Sequence, residues 1–234
     1  MIDFSGKKFL VLGASSDIGI SLVQSIISLN GSVVAQGNKR VDKLSADVDS
    51  IRYEFTEGNI EQFVSLLNGQ TFDGFVNLIG KTGFCYTKHL KHEHVHDILF
   101  LNLTLNIYFS TFLHQLLNKN ASVVFVNSAV ADIGENGMVH YGMANSGITG
   151  LVRGLAKELS HVSCRVNAVK PHLIETENTR SIPDKIKANY IQTNLMKRLG
   201  KPEDVSNAIL FLLSNLSSYI TGQEIKVNGG SYLS

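Results

Sequence analysis

Two hydroxyl-bearing side chains in the second half of the chain are of types that can bind and protonate a carbonyl oxygen. Ser128 follows the apolar run 123–126, Tyr141 comes thirteen residues later, and Asn145 follows Tyr141 by four. The run is typical of a strand buried on both faces, and a helical pattern begins at about Val139. Ligands of an open parallel sheet bind outside the carboxyl ends of its strands, so a hydroxyl and a phenol there could bind and protonate a carbonyl oxygen. For this pair alone, a loop serine and a packed tyrosine are the alternative.

The rest of the sequence provides the elements that must position these side chains. Short apolar runs alternate with helical patterns along all 234 residues. This alternation predicts one α/β domain, residues 1–234, with a Rossmann-like, doubly wound parallel sheet and no second domain or internal repeat. The predicted strands are 9–12, 32–36, 51–55, 123–126 and 164–169, and residues 73–80 are predicted to form a strand and its turn.

Composition indicates an ordinary globular protein and argues against several kinds of partner. A net charge of +1 gives no electrostatic argument for a nucleic acid or a membrane surface. No apolar run reaches the length of a membrane span, and the N-terminus lacks the apolar region of a signal peptide. The two cysteines, Cys85 and Cys164, form no disulfide framework. We therefore predict a cytoplasmic protein.

A glycine turn follows the first predicted strand and precedes a helical pattern, which is the context that a dinucleotide fingerprint requires. Gly13 allows the tight turn, and Gly19 lets the helix pack close to the strand, so that N–H groups at the helix start can face a pyrophosphate. We expect the carboxylate of Asp17 to point away from the phosphates and to cap the helix. The predicted cofactor-binding residues of this turn are Gly13, Ser15, Ser16, Asp17, Ile18 and Gly19.

The end of the second predicted strand indicates which dinucleotide is preferred. An NAD(H) site usually places an Asp or Glu there to accept hydrogen bonds from the ribose 2′-OH. The sequence has Asn38, Lys39 and Arg40 instead, and the two bases can bind a 2′-phosphate. This predicts NADP(H) over NAD(H), with NAD(H) as the second option. The alternative is that both bases are solvated surface residues.

A histidine-rich segment at 88–97 invites a metal interpretation, since His92 and His96 would share one helix face. No second cluster in the sequence completes a site. We therefore predict a solvated helix start here and no bound metal.

Several of these motifs resemble those of the short-chain dehydrogenase/reductase superfamily, over essentially the whole chain. Ser128 and Tyr141 have the spacing of its active-site serine and Y-x-x-x-K motif, with Asn145 at the position of the lysine. The glycine turn is similar to its G-x-x-x-G-x-G, with Asp17 at the middle glycine. The resemblance implies further cofactor-binding residues: Glu54 and Phe55 at the adenine, Asn77 and Gly80 beside the cofactor, Tyr141 and Asn145 at the ribose, and Pro171, Ile174 and Thr176 at the nicotinamide.

The resemblance also implies a catalytic set of Asn102, Ser128, Tyr141 and Asn145. Tyr141 would donate a proton to the carbonyl as hydride arrives from the nicotinamide, while Ser128 holds the same oxygen and Asn102 holds a water in a proton relay. The lysine of the family lowers the pKa of the tyrosine. A nearby cation does so by roughly 1–3 pH units at about 1.4 kcal/mol each, so the uncharged Asn145 forgoes roughly 1.4–4 kcal/mol of phenolate stabilisation.

Three hypotheses concern this missing charge. The ammonium of Lys81 or Lys170, each near the carboxyl end of a strand, could lie close to Tyr141. The protein could instead be a catalytically weak or silent relative that binds the dinucleotide as a sensor or assembly subunit. Asn145 could also be an introduced substitution. We favour an enzyme, because the other three catalytic residues are retained.

The expected substrate is a small carbonyl or alcohol compound, either a 3-oxoacyl compound or a sugar or small ketone. Loops at 81–95, 129–138 and 172–197 would line its site, and the segment at about 172–199 would form a mobile lid. No basic groove in the sequence suggests an acyl-carrier partner. By resemblance alone, the helices at 95–118 and 139–159 would pair in a homodimer or homotetramer.

We expect the protein to bind NADPH more tightly than NADH, because bases stand where an acid would accept bonds from the 2′-OH. Calorimetric titration with each nucleotide measures the two dissociation constants. A smaller dissociation constant for NADH would contradict this prediction.

Overall fold

The computed structural model describes residues 2–233, and in this range seven parallel strands form one sheet. The strands are β1 (Lys8–Leu12), β2 (Ser32–Gly37), β3 (Asp49–Arg52), β4 (Phe72–Asn77), β5 (Leu117–Val126), β6 (Arg165–Pro171) and β7 (Glu224–Val227). Their order across the sheet is β3-β2-β1-β4-β5-β6-β7. The strand order reverses between β1 and β4, so the carboxyl ends of these strands flank the crevice where such sheets bind ligands.

Helices cover both faces of the sheet. They are α1 (Asp17–Ser28), α2 (Ile60–Leu66), α3 (His92–Leu99), α4 (Leu105–Ser110), α5 (Leu113–Leu116), α6 (Val130–Ile133), α7 (Val139–Glu158), α8 (Asp184–Thr193) and α9 (Pro202–Leu213). Apolar residues of α1 and α9 share one core layer, and those of α2, α4, α5 and α7 share the other. The predicted fold class, a doubly wound parallel sheet, is confirmed.

The central strand β1 shows why the strands are continuous apolar runs in the sequence. Phe9 and Val11 are buried in the layer that contains α1 and α9, whereas Leu10 and Leu12 are buried in the layer that contains α7. Successive side chains of a strand point to opposite faces, so a strand covered on both sides needs an apolar residue at every position.

The third predicted strand is wrong in its second half. β3 ends at Arg52, and the ring of Phe55 packs against Tyr53 and Phe63, with centroids 5.2 and 5.0 Å apart. The Asn59 side chain accepts from the Thr56 N–H at 2.8 Å and donates to the Glu54 carbonyl oxygen at 2.9 Å, so these backbone groups bond to Asn59 and not to β2. The predicted strand and turn at 73–80 agree with the structure: β4 ends at Asn77, whose side-chain oxygen accepts a hydrogen bond from the Ile79 N–H at 2.9 Å.

The predicted long helix at 95–118 is interrupted. A π-helical segment, Phe100–Thr104, separates α3 from α4, and the chain is already in β5 at Leu117. Single π-helical turns of this kind are frequent at functional sites, and Asn102 lies at the centre of this one. The edge strand β7 was not predicted, because its residues are only half-buried and form no apolar run.

Of the helices within residues 2–233, none combines the length and the apolar character that crossing a bilayer requires.

Replacing Phe109 by alanine should lower the free energy of unfolding by about 3–5 kcal/mol, because the cavity left in the core would not be refilled. The Phe109 ring is 1% exposed and stacks on Phe75 with centroids 5.0 Å apart. Urea unfolding monitored by circular dichroism gives this free energy.

Phe84→Ala is the matched control, because the same atoms are removed from a ring that is 66% exposed. This variant should lose less than about 1 kcal/mol. Equal losses in the two variants would contradict the proposed packing of Phe109.

Candidate active site

The carboxyl ends of β5 and β6 bring three predicted catalytic side chains together. Ser128 follows β5 by two residues and is buried, and α7 places Tyr141 in its first turn with Asn145 one turn later. The side chains of Ser128 and Asn145 lie close enough to the Tyr141 phenol to lower its pKa. The loop itself is fixed to the end of β6, because the Ala129 N–H donates to the Pro171 carbonyl oxygen at 2.9 Å.

Burial dominates the ionisation of Tyr141. Loss of solvent around the phenol raises its pKa, and the side chains of Ser128 and Asn145 offset this only in part. The phenol therefore keeps its proton at neutral pH and can act as a proton donor.

Asn145 is 3% exposed, and its Nδ2 donates to the Tyr141 carbonyl oxygen at 2.9 Å. This bond runs one turn back along α7 and holds the amide beside the phenol. The position is thus polar, buried and uncharged.

Neither lysine proposed to replace the missing charge contributes to the pKa of Tyr141. The Lys81 ammonium is bound to Asp97 at 2.7 Å in an exposed ion pair. The Lys170 ammonium is buried between Asp132 at 2.7 Å and Glu224 at 3.0 Å. The hypothesis of a compensating lysine therefore receives no support from the structure.

The cluster around Lys170 was not found from the sequence, yet it lies directly behind Ser128. Glu224 accepts hydrogen bonds from Asn127 Nδ2 at 2.5 Å and from Thr149 Oγ1 at 3.0 Å. Asn127 precedes Ser128, and its Oδ1 accepts from the Ser128 N–H at 2.7 Å. One signal was available: a lysine inside an apolar strand must find carboxylate partners when the strand is buried.

A second buried network surrounds Asn102. Asn77 Nδ2 donates to Asn106 Oδ1 at 2.7 Å, and Asn106 Nδ2 donates to the Asn102 carbonyl oxygen at 2.9 Å. The Asn102 Oδ1 accepts from the Lys81 N–H at 2.9 Å, and Gly80 lies against the same amide. Three asparagines thus satisfy one another inside the core and tie the end of β4 to the π-helical segment. Water retention by Asn102 stays a prediction.

The glycine turn after β1 fits a dinucleotide. Gly13 has φ +71°, and a Cβ there would come within 2.9 Å of the Leu78 carbonyl carbon. A Cβ on Gly19 would come within 2.5 Å of the Ala14 carbonyl oxygen. No side chain can therefore fill this cradle, and backbone N–H groups at the start of α1 are available to a phosphate. Ser15 lies buried beside the turn, and Ile18 packs toward the adjoining core layer.

The prediction that Asp17 caps α1 is wrong. Ser16 is the N-cap, and its Oγ accepts from the Gly19 N–H at 3.1 Å. Asp17 is the first helical residue, and its carboxylate binds Arg40 at 2.7 Å and the Glu177 N–H at 2.6 Å. Burial raises the pKa of the Asp17 carboxyl, but these two partners outweigh it and hold the pKa below its ordinary value. An arginine within reach draws the carboxylate sideways, away from the cap position.

The three polar residues after β2 have different surroundings. Lys39 is exposed, and the Asn38 carbonyl oxygen accepts from Arg52 Nη1 at 2.9 Å. Arg40 is only a quarter exposed at its side chain and is paired with Asp17 and Glu177. Its Nε is buried without a hydrogen-bond partner among the described residues.

The remaining predicted cofactor residues lie at or near the ends of β3 and β6. Glu54 is exposed, but the Phe55 ring is turned into the core and is not presented to a ligand. Pro171 ends β6, and Ile174 is buried and bridges to Gly200. Thr176 precedes the short 3₁₀ helix Glu177–Thr179, in the segment that was predicted to form a lid.

The histidine-rich segment forms the exposed start of α3. The rings of His92 and His96 stack with centroids 6.0 Å apart, and His96 Nε2 pairs with Glu57 at 3.0 Å. Within residues 2–233, no group of three or more His, Cys, Asp or Glu side chains is arranged to hold a metal ion.

The sequence matches a known protein family over most of its length. Residues 23–232 match a family model described as enoyl-(acyl carrier protein) reductase. The chain is 31% identical to the 3-oxoacyl-[acyl-carrier-protein] reductase of Chlamydia pneumoniae, covering 98% of each chain. It is 28% identical to the enzyme of the same name from Escherichia coli, covering 99% of this chain and all of the other.

Two solved structures are similar over nearly their whole length. A short-chain dehydrogenase/reductase of the glucose/ribitol dehydrogenase type from Brucella melitensis has a TM-score of 0.92 and 25% identity, covering 100% of this chain and 99% of the other. A short-chain dehydrogenase family protein from Francisella tularensis has a TM-score of 0.90 at 24% identity, covering 96% and 98%.

Asn145→Lys should lower the pKa of Tyr141 by roughly 1–3 pH units, because it would place a cation beside the phenol. Phenolate absorbance during a pH titration measures this pKa, with the spectrum of the corresponding Tyr141→Phe protein subtracted. In the unsubstituted protein, Tyr141 should ionise above the ordinary value of ~10. Asn145→Met has a similar length without the charge and should not lower the pKa. Equal titration of the lysine and methionine variants would contradict an electrostatic origin.

Proposed function

Since the chain belongs to the short-chain dehydrogenase/reductase superfamily, we propose that it is an NADP(H)-dependent oxidoreductase that interconverts a carbonyl and an alcohol, with a 3-oxoacyl compound as its substrate. The observation that carries this proposal is the meeting of Ser128, Tyr141 and Asn145 at the edge of the sheet that the glycine turn also borders.

The side chains have separate tasks in carbonyl reduction. Tyr141 holds a proton on its phenolic oxygen and donates it to the substrate oxygen, while the Ser128 hydroxyl binds the same oxygen and orients it. Asn102 joins the path that returns a proton to Tyr141. The reduced nicotinamide, when bound, supplies the hydride that reaches the carbonyl carbon. Neutral Tyr141 suits this direction, because a phenol with a raised pKa carries the proton that it must give.

The cofactor is NADP(H) in preference to NAD(H). Residues fit for it surround the glycine cradle: Gly13 and Gly19 leave room for the pyrophosphate, and Arg40 has a buried Nε without a partner. Lys39 adds an exposed positive charge beside the same strand end.

Asn145 replaces a charge with a hydrogen-bonding amide. It can hold ribose hydroxyls and the phenol in place, but it does not stabilise the phenolate as a cation would. We therefore expect the enzyme to be slower than a lysine-bearing relative. The activity measurements distinguish it from a silent relative that binds the dinucleotide without turning over a substrate.

The 3-oxoacyl substrate class is supported by two observations. The relatives named above are 3-oxoacyl-[acyl-carrier-protein] reductases. The loop after β4 also presents exposed aromatic rings, Phe84 and Tyr86, and binds the loop after Ser128 through the bond from Cys85 N–H to the Gly137 carbonyl oxygen at 2.8 Å. These rings provide an apolar surface against which an acyl chain can pack. The segment at 172–199 would cover such a substrate.

We also propose that two copies of the chain associate through α4 and α7. Large apolar side chains are exposed on both helices, among them Ile107 and Tyr108 on α4 and Val139 and Met143 on α7. A homodimer or homotetramer would cover them.

A reducing, cytoplasmic compartment agrees with two unpaired cysteines.

Tyr141→Phe should reduce the turnover of an acetoacetyl thioester with NADPH by about 10²- to 10⁴-fold, because it removes the proton donor without changing the ring. Oxidation of NADPH followed by absorbance gives the rate. Ser146→Ala is the control on the same helix, since its exposed hydroxyl bonds only to the Ala131 and Gly142 carbonyl oxygens, and it should keep the activity.

Two results would contradict the proposal. If neither NADPH nor NADH binds, the protein is not a dinucleotide-dependent oxidoreductase. Binding of NADPH without turnover, together with activity that appears only in Asn145→Lys, would instead support the silent relative.

A further inference from the structure

The guanidinium of Arg40 is already bound by two carboxylates of this chain. Its Nη2 lies 2.7 Å from Asp17 Oδ1, and its Nη1 lies 2.7 Å from Glu177 Oε2. Lys43 Nζ approaches the same Glu177 oxygen at 3.8 Å. Both terminal nitrogens of Arg40 therefore donate to acids that come from other parts of the chain, one from α1 and one from the segment after β6.

A 2′-phosphate would compete with these carboxylates for the guanidinium, although the Arg40 Nε–H lies outside both ion pairs. Arginine recognises phosphate through its planar fork of N–H donors, and each donor direction serves one acceptor at a time. The charges of Asp17 and Glu177 also repel an incoming phosphate. Arg40 therefore binds a 2′-phosphate more tightly when at least one of the two acids gives way.

The two acids are held with different strength. Asp17 is a quarter exposed and accepts a second bond from the Glu177 N–H at 2.6 Å. The side chain of Glu177 is 50% exposed, and its ion pairs with Arg40 and Lys43 join side chains only. Glu177 is therefore the group that leaves, and its backbone bond to Asp17 can remain when the carboxylate swings into solvent.

We propose that Glu177 is a specificity-determining residue, whose carboxylate occupies the phosphate position on Arg40 until a 2′-phosphate displaces it. This inference rests on the proposed NADP(H) preference and deepens it. The measured affinity for a 2′-phosphate then reflects a competition between the phosphate and the Glu177 carboxylate for one guanidinium. NAD(H) and other ligands without that phosphate leave the Glu177–Arg40 pair in place.

The test compares adenosine 2′,5′-bisphosphate with AMP, and NADPH with NADH, by calorimetry on the full chain. Glu177→Gln removes the charge and keeps the backbone N–H that bonds Asp17. We expect it to tighten binding of the two 2′-phosphate ligands by about 2- to 5-fold, the range of a partly exposed ion pair. Binding of AMP and NADH should stay unchanged. Higher salt should shrink the gain, because salt screens the pair that is lost.

Glu175→Gln is the matched control. It removes an equal charge two residues away that forms no ion pair with Arg40 among the described contacts. It should leave the ratio of NADPH to NADH affinity as it is. Glu177→Ala should give the same gain as Glu177→Gln, and thermal unfolding checks that each variant is folded.

The outcomes separate this inference from the function it rests on. An equal gain for ligands with and without the 2′-phosphate, no gain, or the same gain in Glu175→Gln would overturn the role of Glu177. Arg40→Ala reports on the cofactor preference itself. If the unsubstituted protein prefers NADPH and loses the preference in Arg40→Ala while Glu177→Gln has no effect, NADP(H) binding stands and the inference on Glu177 fails. If the unsubstituted protein binds NADPH no better than NADH, the proposed cofactor preference fails first.

Discussion

Burial of the parallel sheet on both faces is the constraint on which the rest of this structure depends. Each strand between two helical layers must be apolar, and the polar groups that remain inside must bond to one another. Asn77, Asn106 and Asn102 do so in one network, and Lys170 does so with Asp132 and Glu224 in another. Both networks lie where strands end, because there the core gives way to the ligand crevice. The polar groups that position the site residues are thus the same groups whose hydrogen bonds lie at the edge of the core.

In the site between these networks, no charged side chain contributes to the pKa of Tyr141. Tyr141 is surrounded by a hydroxyl and an amide, and burial controls its pKa. Lys170 and Arg40 are each bound between two carboxylates, Asp132 and Glu224 in the first case and Asp17 and Glu177 in the second. The Tyr141 phenol therefore keeps its proton at neutral pH. In the proposed reaction it acts as a proton donor aligned by Ser128 and Asn145, not as a phenolate.

The same pairing connects parts of the chain that are distant in sequence. Asp17 on α1, Arg40 after β2 and Glu177 after β6 meet at one guanidinium. Tyr232, near the C-terminus, donates to Asp132 at 2.8 Å and so reaches the loop behind Ser128. Each of these contacts joins segments that lie outside the central strands, so the ion pairs fix the loops around the sheet and not the sheet itself.

Local patterns in the sequence determined much of this protein. Apolar runs predicted the buried strands, the glycines predicted a turn that no larger residue can fill, and the start of α7 at Val139 with Tyr141 in its first turn agrees with the helical pattern. Only the tertiary structure decided what the polar and charged side chains do. Asp17 lost its expected cap to Ser16 because Arg40 lies within reach, Phe55 turned into an aromatic cluster, and Lys170 found two acids from α6 and β7. The reason is physical: burial patterns repeat along the chain and can be read locally, whereas the partner of a charge is set by which distant segments the fold brings together.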